Sequence, residues 1–396
     1  MTASADDLGP PITSVGLVGW LRKNLFSNWY NSLLTIVCGW FLLSAGGEFV
    51  RWCFTSARWD VIVANLRLFM VGPFPREQVW RVWSVLGMVS LVFGLAGGVF
   101  GGTLRVFTVS LASSYALLAL LPFDMEGRAW LVGNLVLVIG AYALARGRTA
   151  WRGVVIGLCL LSFVAAAVLL QGFEGNPFVP AVPTSQWGGL LLTFVLTTVS
   201  IVVSFPLGVL LALGRRSQMP VVRVFSIVYI ELVRGVPLIT ILYMTQIMLP
   251  LFLPAEMRID NVVRAMAGMT LFTAAYTAEN VRGGLQAIPS GQIEAAEALG
   301  LNSVLVTLLI VLPQALRMVI PASVGQFISL FKDTTLVLIV GLLDLLSVGR
   351  SVLAQPEFMG LQTEVYLFVA AVFFVFSYAM SYASYRLETA LGVGKR

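Results

Sequence analysis

Five charged side chains interrupt the long apolar segments in the second half of this 396-residue sequence. They are Glu231, Arg234, Glu279, Lys332 and Asp333. A charge inside such a segment is costly and is usually either paired or functional. Arginine binds a carboxylate through two parallel hydrogen bonds, and a carboxylate accepts hydrogen bonds from an ammonium group. Side chains of both signs could therefore bind a small zwitterion, which needs one cation and one anion to compensate it.

The spacing of Glu231 and Arg234 places both on one face of a helix, because residues three apart are neighbours there. The Gly235-Val236-Pro237 sequence that follows predicts a break or kink. Two interpretations remain open. The two charges could form an intrahelical ion pair beside the kink, or Arg234 could be available for the carboxylate of a solute at a broken helix.

The other three charges also allow two roles each. Glu279 could line a solute path, or it could pair with Arg282 or with a charge on another helix. Lys332 and Asp333 are adjacent, so they point to different sides of a helix and need separate partners. A span over 318–344 would place both near its middle, where an aspartate could bind an ammonium group and a lysine a carboxylate.

Two neutral side chains could complete a polar lining. Gln326 and Thr334 lie close to the Lys332-Asp333 pair in the sequence. Threonine in a membrane helix more often hydrogen-bonds to its own preceding turn, so this assignment has a structural alternative. The sequence contains no histidine, which removes the commonest general base and metal ligand, and we expect neither a catalytic nor a metal site.

The elements that must position these residues are membrane helices. Hydrophobic residues make up 58% of the chain and charged residues 11%, against roughly 25% charged in a soluble domain. The apolar segments are continuous and near the length that a bilayer requires, which favours helices over a barrel. We predict an all-α polytopic membrane protein with about ten transmembrane helices, at 31–48, 82–102, 105–121, 129–145, 153–172, 188–213, 225–253, 262–281, 304–344 in a broken form, and 365–385.

A proline-rich stretch without lysine or arginine divides the sequence into two halves. We predict an N-terminal extension with five helices over 1–173, an extracytoplasmic linker over 174–187, and a second domain with five helices over 188–396. No internal repeat is apparent, which counts against the inverted repeats of many secondary transporters.

Basic residues predict the orientation. The net charge is +6, and the lysines and arginines are scattered at the ends of apolar segments, which indicates topology rather than nucleic acid binding. The basic loops at 145–152 and 214–223 and the tail at 385–396 are predicted to be cytoplasmic, together with both termini. Segment 51–81 is basic and yet must lie outside, so we expect an interfacial helix with Trp52, Trp59 and Trp80 at headgroup depth, or a missed pair of half-spans.

A short acidic segment, EAAEALG, occupies positions 294–300 in a predicted cytoplasmic loop. Its three alanines make a helix that another surface can approach closely, its two glutamates carry charge, and its glycine permits the turn at the helix end. An ordinary amphipathic loop helix is the alternative. The residues expected to contact a soluble partner are Glu294, Ala295, Ala296 and Gly300.

The full pattern around this segment resembles a known family. Glu294-Ala295-Ala296, then Gly300, then Ile310-Val311-Leu312-Pro313 is similar to the EAA loop of permeases of type I ABC importers. In that family the loop docks on a cytoplasmic ATPase, and the resemblance implies this role for Glu294 and Gly300. Stretches at 229–243, 274–300 and 312–336 resemble the permeases for polar amino acids.

The N-terminal stretch NLFSNWYNSLLT and the extra helices resemble the extended permeases of general L-amino acid importers. The resemblance implies an importer of amino acids, broadly acidic and neutral polar, in the bacterial cytoplasmic membrane. It implies four kinds of partner besides the lipid: a second permease in a heterodimer or homodimer, two ATPase subunits, an extracytoplasmic solute-binding protein and the amino acid. No phosphate-binding loop of the type GxxxxGK occurs in the sequence, so ATP and Mg are expected on the partner ATPase and no cofactor on this chain.

Two other classes of function remain as alternatives. A channel or ion-coupled carrier would use Glu231, Glu279 and Asp333 to bind a cation, and it would leave the acidic cytoplasmic helix without a role. A membrane-embedded enzyme would use Lys332 or Glu279 as an acid or base, but no nucleophile motif or metal-ligand cluster supports it.

Overall fold

A computed structural model of the protein describes residues 16–120, 124–254 and 259–392. Over this part of the chain the secondary structure is helical, with two isolated bridges and no strand. The prediction of an all-α polytopic membrane protein is confirmed. The two chain ends, Leu121 at the end of a predicted span, and positions 255–258 of a predicted outer loop lie outside the described residues.

The contacts divide the chain into two compact units, with the boundary after Asp60. The described part of the first unit consists of α1 (Gly16–Asn24) and α2 (Trp29–Thr55). The 27 residues of α2 include none that is buried, so its whole circumference is available to lipid or to another chain. The indole of Trp59 donates to the carbonyl oxygen of Cys53, which fixes the turn after α2.

The second unit starts with five helices of the predicted extension. They are α3 (Asp60–Val71), α4 (Val79–Phe100), α5 (Gly102–Ala119), α6 (Met125–Ala145) and α7 (Arg152–Gln171). The α4 helix contacts α5, α6 and α7. Ser90 on α4 is buried and hydrogen-bonds to Tyr115 at 2.8 Å and Asn134 at 3.1 Å, so three helices share one polar contact in an apolar surrounding.

The remaining helices form the predicted second domain. They are α8 (Gly189–Arg215), α9 (Pro220–Arg234), α10 (Leu238–Ile247), α11 (Asn261–Gln286), α12 (Ser290–Ala298), the single turn α13 (Ser303–Leu305), α14 (Leu312–Asp333), α15 (Leu345–Leu353) and α16 (Gln362–Leu391). The α8 and α11 helices run parallel in close contact, since the start of α8 packs with the start of α11 and Arg216 after α8 reaches Leu285 near the end of α11. A Cβ atom at Gly208 would lie 2.6 Å from the Cβ of Thr277, so the glycine allows this approach. We refer to the two ends of this domain as the Gly189 end and the Arg215 end, after the limits of α8.

Eight helices among the described residues are long and apolar enough to cross a membrane, or nine if the α9–α10 pair is one span. The one predicted span that is not among these, 262–281, corresponds to α11, which has 26 residues. Its low hydropathy has a structural reason, because α11 packs against α8, α9, α10 and α14 and thirteen of its residues are buried. A helix surrounded by protein does not need an apolar circumference.

The predicted kink after Arg234 is confirmed. The α9 and α10 helices meet at an angle of 107°, and Pro237 precedes the first residue of α10. The predicted broken span at 304–344 is a continuous helical stretch from Ser303 to Val340 that includes a π-helical turn at Val306–Val311. Pro313 is the second residue after this turn and has no N–H to donate to the residue four positions earlier, Leu309 within the turn, which accounts for the local widening.

Segment 51–81 is not one interfacial helix. Its first residues complete α2, α3 covers the middle, and α4 begins at Val79. With 12 residues α3 is about 18 Å long, too short to span a bilayer, and it is a single helix rather than a pair of half-spans. Val61 and Phe69 on α3 have no exposed surface, so one face of this helix packs against the protein while Val63 on another face is exposed.

Candidate functional site

Three arginines and two glutamates form a network at the Arg215 end, which we call the charged cluster. Its members are Arg215, Glu231, Arg234, Glu279 and Arg282. They come from the last turns of α8 and α9 and from the second half of α11. The bend after Arg234 ends α9 here, and the salt bridge from Arg215 to Glu231 joins the last turns of α8 and α9.

Glu279 is the centre of the charged cluster. Its carboxylate accepts hydrogen bonds from Arg215 at 3.5 Å and from Arg282 on the next turn of the same helix, and it forms a salt bridge with Arg234 at 3.4 Å. Only 17% of the Glu279 side chain is exposed. Glu231 is 56% exposed and contacts Arg215 at 2.9 Å. The cluster thus contains one more positive charge than negative charges, and its most buried member is an anion held by three cations.

Arg234 has a second kind of contact. Its guanidinium carbon lies 5.5 Å from the centre of the Tyr276 ring, within the range of a cation–π interaction. The buried Nε of Arg234 has no hydrogen-bond partner. This side chain is therefore held in place by Glu279 and Tyr276, and its Nε–H is an unused donor.

The pairing differs from the one considered from the sequence. The salt bridges do not join Glu231 to Arg234 within α9; they join Glu231 to α8 and Arg234 to α11. Arg234 is consequently neither free nor in an intrahelical pair. The alternative in which Glu279 pairs with Arg282 or with a charge on another helix is the one found. Arg215 was missed as a site residue, because its position in a basic loop gave only a topological signal.

Gln326 is part of a different contact. Its side chain accepts from Asn280 at 2.9 Å and donates to the carbonyl oxygen of Thr273 at 3.0 Å. Since Gly284 faces Ala315 and Val319 on α14, while Gln326 faces Thr273, α14 and α11 run antiparallel. Both functional groups of the amide are engaged, and they fix the register of these two helices.

Lys332 and Asp333 are the last residues of α14, and a 3-10 helix, Thr334–Val340, follows them. They are six and seven residues beyond Gln326, about 9 Å further toward the Gly189 end. Within the helical stretch Ser303–Val340 they lie toward its C-terminal end, and their depth in the bilayer stays a prediction. The structure thus brings together Glu231, Arg234 and Glu279, but not Lys332 and Asp333 with them.

Thr334 does not line a path. It has no exposed surface, and its hydroxyl donates to the carbonyl oxygen of Phe331 at 2.7 Å. This is the alternative noted for threonine in a membrane helix, since a buried hydroxyl that cannot reach another polar group bonds to its own chain. Lys332 is exposed, and Asp333 is partly buried.

The EAA segment forms α12 and the turn after it at the Arg215 end. The N–H of Leu301 donates to the carbonyl oxygen of Ala296 at 3.2 Å, and that of Gly300 donates to Glu297 at 2.9 Å. These two bonds define a Schellman ending, which requires a left-handed residue at the position of Gly300. Gly300 has a φ of +82°, and nothing lies within 4 Å of a Cβ built there. The glycine is needed for its backbone conformation and not for space.

The α12 helix has an inner and an outer side. Ala296 is 4% exposed and packs in a core cluster with Ile293 and Leu301, so it cannot itself be a contact for another protein. Glu294 and Ala295 are exposed. Glu297 and Ala298 are exposed as well. Leu299, which follows them, has an exposed fraction of 83%, which is unusual for a leucine. A hydrogen bond of 2.6 Å from Gln314 to Gln292 connects α12 to α14.

Comparison with known proteins defines the class. Residues 204–391 match the family described as binding-protein-dependent transport system inner membrane component. The matched region contains the charged cluster, α12 and the whole of α14. The chain belongs to this family, and it is a permease of the ABC transporter type with an importer permease fold.

The relatives define its place in the family. The chain is 39% identical to the Escherichia coli protein "Inner membrane amino-acid ABC transporter permease protein YhdY", over 95% of this chain and 93% of the relative. It is 35% identical to the Rhodobacter capsulatus "Glutamate/glutamine/aspartate/asparagine transport system permease protein BztC", over 96% and 95%. The predicted resemblance to permeases of amino acid ABC importers is confirmed.

Other relatives match only half of the chain. The Bacillus subtilis "Probable glutamine ABC transporter permease protein GlnP" is 34% identical over 51% of this chain and 91% of its own length. Among solved structures, the "Crystal structure of an amino acid ABC transporter with histidines" is similar over 50% of this chain and 90% of that chain, with 27% identity and a TM-score of 0.45.

Proposed function

We propose that this chain conducts amino acids across the bacterial cytoplasmic membrane as one permease subunit of an ATP-driven importer, and that α12 transmits the movement of a separate ATPase. The observation that carries this proposal is the geometry of α12. Its inner residue Ala296 is fixed in the core, while Glu294, Ala295 and Leu299 face outward beside a glycine-dependent turn. An exposed apolar side chain next to carboxylates is a composition suited to a protein contact.

A continuous set of contacts supports the transmission of movement. Gln292 on α12 hydrogen-bonds to Gln314 on α14. Further along α14, Gln326 bonds to Asn280 on α11, the residue after Glu279. A displacement of α12 therefore reaches the charged cluster through two helices and two side-chain hydrogen bonds. Rocking of such helices between two packed arrangements would open the permease alternately to either side.

The charged cluster supports an amino acid as the solute. Its excess positive charge and the unused Nε of Arg234 favour a carboxylate, which every amino acid carries. Lys332 and Asp333 lie beyond Gln326 on α14, toward the Gly189 end. They present one cation and one anion to a zwitterion. The names of the full-length relatives, of which one includes glutamate, glutamine, aspartate and asparagine, favour acidic and neutral polar amino acids.

The same proposal assigns the remaining parts of the importer. ATP and Mg bind to two partner ATPase subunits, a second permease pairs with this chain as a heterodimer or homodimer, and a solute-binding protein delivers the amino acid from outside. An ion-coupled carrier is less well supported, because its cation ligands would include Glu231 and Glu279, and both carboxylates are already paired with arginines.

The coupling role is tested by reversing charge and by removing the glycine conformation. Glu294→Lys and Gly300→Val should each lower copurification of the ATPase and ATP-dependent uptake of labelled L-glutamate and L-glutamine by about tenfold or more, as expected when a central interface contact is lost. Glu357→Lys, an exposed glutamate at the Gly189 end, and Gly291→Val, on α12 without a positive φ, are the controls. Normal copurification and uptake in Glu294→Lys and Gly300→Val would exclude this role for α12.

A further inference from the structure

The N-terminal extension lies outside the region that matches the permease family, residues 204–391. Among the described residues, α3 is a short helix of the extension that contacts the second domain. Phe69 has no exposed surface, and its ring centre lies 5.1 Å from that of Phe368 on α16. A Cβ atom built on Gly349 of α15 would lie 3.7 Å from the same ring. Phe69 therefore fills the angle between α15 and α16.

The backbone after α3 makes an even closer contact. A Cβ atom at Gly72 would lie 2.4 Å from the Cα of Gly188, and one at Gly189 would lie 2.3 Å from the carbonyl oxygen of Phe69. Distances below 3 Å are not tolerated between a Cβ and backbone atoms, so side chains larger than hydrogen are excluded at these points. Three glycines thus let the end of α3 rest directly on the start of α8.

The loop before α15 joins at the same place. The N–H of Gly189 donates to the carbonyl oxygen of Leu343 at 2.8 Å, and the N–H of Leu345 contacts the hydroxyl of Thr193 at 3.3 Å. A Cβ at Gly188 would lie 3.0 Å from the Leu343 oxygen. We call this meeting of three backbones, Phe69–Pro73, Gly188–Gly189 and Leu343–Leu345, the outer junction. A side-chain contact of 3.4 Å from Gln355 to Asn65 adds a further link between α3 and the segment that follows α15.

One of the three segments of the outer junction, Leu343–Leu345, follows soon after Lys332 and Asp333, the residues proposed to meet the solute. Lys332 and Asp333 end α14, seven residues of 3-10 helix follow, and the chain then enters the loop that α8 and α3 hold. Short elements of this kind are mobile unless they are packed, because they bury little surface of their own. We propose that α3 is a positioning element of the permease: by packing on α15 and α16 and on the start of α8, it holds the segment after Lys332-Asp333, and it moves with that segment as one body.

The uptake measurements in the test rest on the proposed function, but the labelling measurement does not. Val348 on α15 is 1% exposed, so a cysteine there should react slowly with N-ethylmaleimide. In the full-length chain, with Cys38, Cys53 and Cys159 replaced by serine, Phe69→Ala should raise the labelling rate of Val348→Cys about tenfold, because the space left behind lets α15 move. Val63→Ala, on α3 with an exposed fraction of 65%, is the matched control, and Phe69→Leu should restore slow labelling.

A second experiment decides whether α3 and α15 move together. Asn65→Cys and Gln355→Cys, joined by a short bismaleimide in the assembled importer, should leave uptake of L-glutamate within about twofold of the unlinked protein, since a fixed contact loses nothing when it is locked. Loss of uptake only after cross-linking would overturn the proposal. Equal labelling of Val348→Cys in Phe69→Ala and Val63→Ala would also overturn it. If Phe69→Ala fails to reach the membrane, the cross-linking experiment still shows whether α3 and α15 move together. Absence of any uptake in the unlinked double-cysteine protein would count against the proposed function alone.

Discussion

Among the single residues of the charged cluster, Glu279 is the one whose substitution should cost the most stability. Three guanidinium groups surround one largely buried carboxylate, and no other anion among the described residues of the cluster contacts Arg234 or Arg282. Removing one member of a buried ion network leaves the opposite charges unpaired in a low dielectric. The contribution of Glu279 is therefore larger than that of any one arginine, because each arginine could be lost without leaving the carboxylate alone.

We expect Glu279→Gln to lower the free energy of unfolding by about 3 kcal/mol, the lower end of the range for a broken buried ion pair, because the side chain retains some exposure. The midpoint of thermal unfolding in detergent measures this change. Glu231→Gln is the matched control: its side chain is 56% exposed, and the loss should be within about 1 kcal/mol. Equal effects of the two substitutions would show that Glu279 is not the centre of the cluster.

Asp344 gives a residue-level prediction on pH. It is buried at the start of α15, where its carboxylate accepts from the N–H groups of Leu346 and Ser347, each at 3.1 Å, and from the Ser347 hydroxyl. Burial raises the pKa of Asp344 above its ordinary value of 3.8, and the hydrogen bonds oppose this only in part. The folded state therefore retains its proton to a higher pH than the unfolded state does.

The sign follows from this pKa. A raised pKa means that the contribution of Asp344 to stability is fully present below pH 3.8 and decreases as the pH rises through the folded-state value. Asp344→Asn should keep the cap, since asparagine caps a helix as well as aspartate does, and should remove this dependence. Asp344→Ala should lose the cap and about 1 kcal/mol at every pH. Thermal unfolding of the three proteins between pH 4 and pH 8 measures both effects, and a pH dependence retained in Asp344→Asn would contradict the assignment.

Among the elements, the contact between the end of α3 and the start of α8 depends most on glycine. Gly188 has an extended backbone that any residue can adopt, so a side chain is excluded here only by lack of space. A Cβ built on Gly188 would lie 3.0 Å from the Cα of Gly72, from the Leu343 oxygen and from the Pro73 ring. We expect Gly188→Ala to destabilise the protein by about 1–3 kcal/mol through overpacking. Gly133→Ala on α6, where nothing lies within 4 Å, should be neutral or slightly stabilising, because alanine favours a helix. Unfolding midpoints that change equally for both would argue against a close junction.

Sequence patterns predicted elements better than partners. The bend after Arg234 followed from Gly235-Val236-Pro237, and the turn at Gly300 followed from the end of an alanine-rich helix, because both depend on local backbone chemistry. The pairing of the charges depended on which helices become neighbours, and spacing along one helix could not give that. Thr334 was misjudged for a related reason: only the tertiary packing shows that its side chain is buried and that its hydroxyl donates to its own turn.

The same limit explains segment 51–81 and α11. Tryptophans and arginines in 51–81 indicated an interface, but the burial of Phe69 is decided by α15 and α16, which lie almost three hundred residues later. Helix α11 was predicted as a span from its length, although its hydropathy is low, and its many protein neighbours explain why a polar sequence is tolerated there. The residue types of a helix predict its surroundings reliably only when it faces lipid or water, and not when it packs against other helices of the protein.

For the molecule as a whole, the charges at the two ends of the helical domain predict its orientation. The Arg215 end contains Arg215, Arg216 and Arg282, and the loop between α6 and α7 together with the first residue of α7 adds three more arginines. This loop lies at the same end, since α4 starts beside Trp187 near Gly189 and finishes beside Ala145. Short basic loops remain on the cytoplasmic side of a membrane. The Arg215 end and α12 with it should therefore face the cytoplasm, where an ATPase could reach Glu294.

Single cysteines test this orientation. In a chain with Cys38, Cys53 and Cys159 replaced, Gln292→Cys at the Arg215 end should react with a membrane-impermeant maleimide only after the membrane is opened, whereas Glu357→Cys should react in intact spheroplasts. Both positions are exposed, so reactivity depends on side and not on burial. The predicted cytoplasmic termini add a second control, because a protease-sensitive tag at either end should be protected in intact spheroplasts. Labelling of Gln292→Cys from outside would invert the topology, and α12 could then no longer contact a cytoplasmic ATPase.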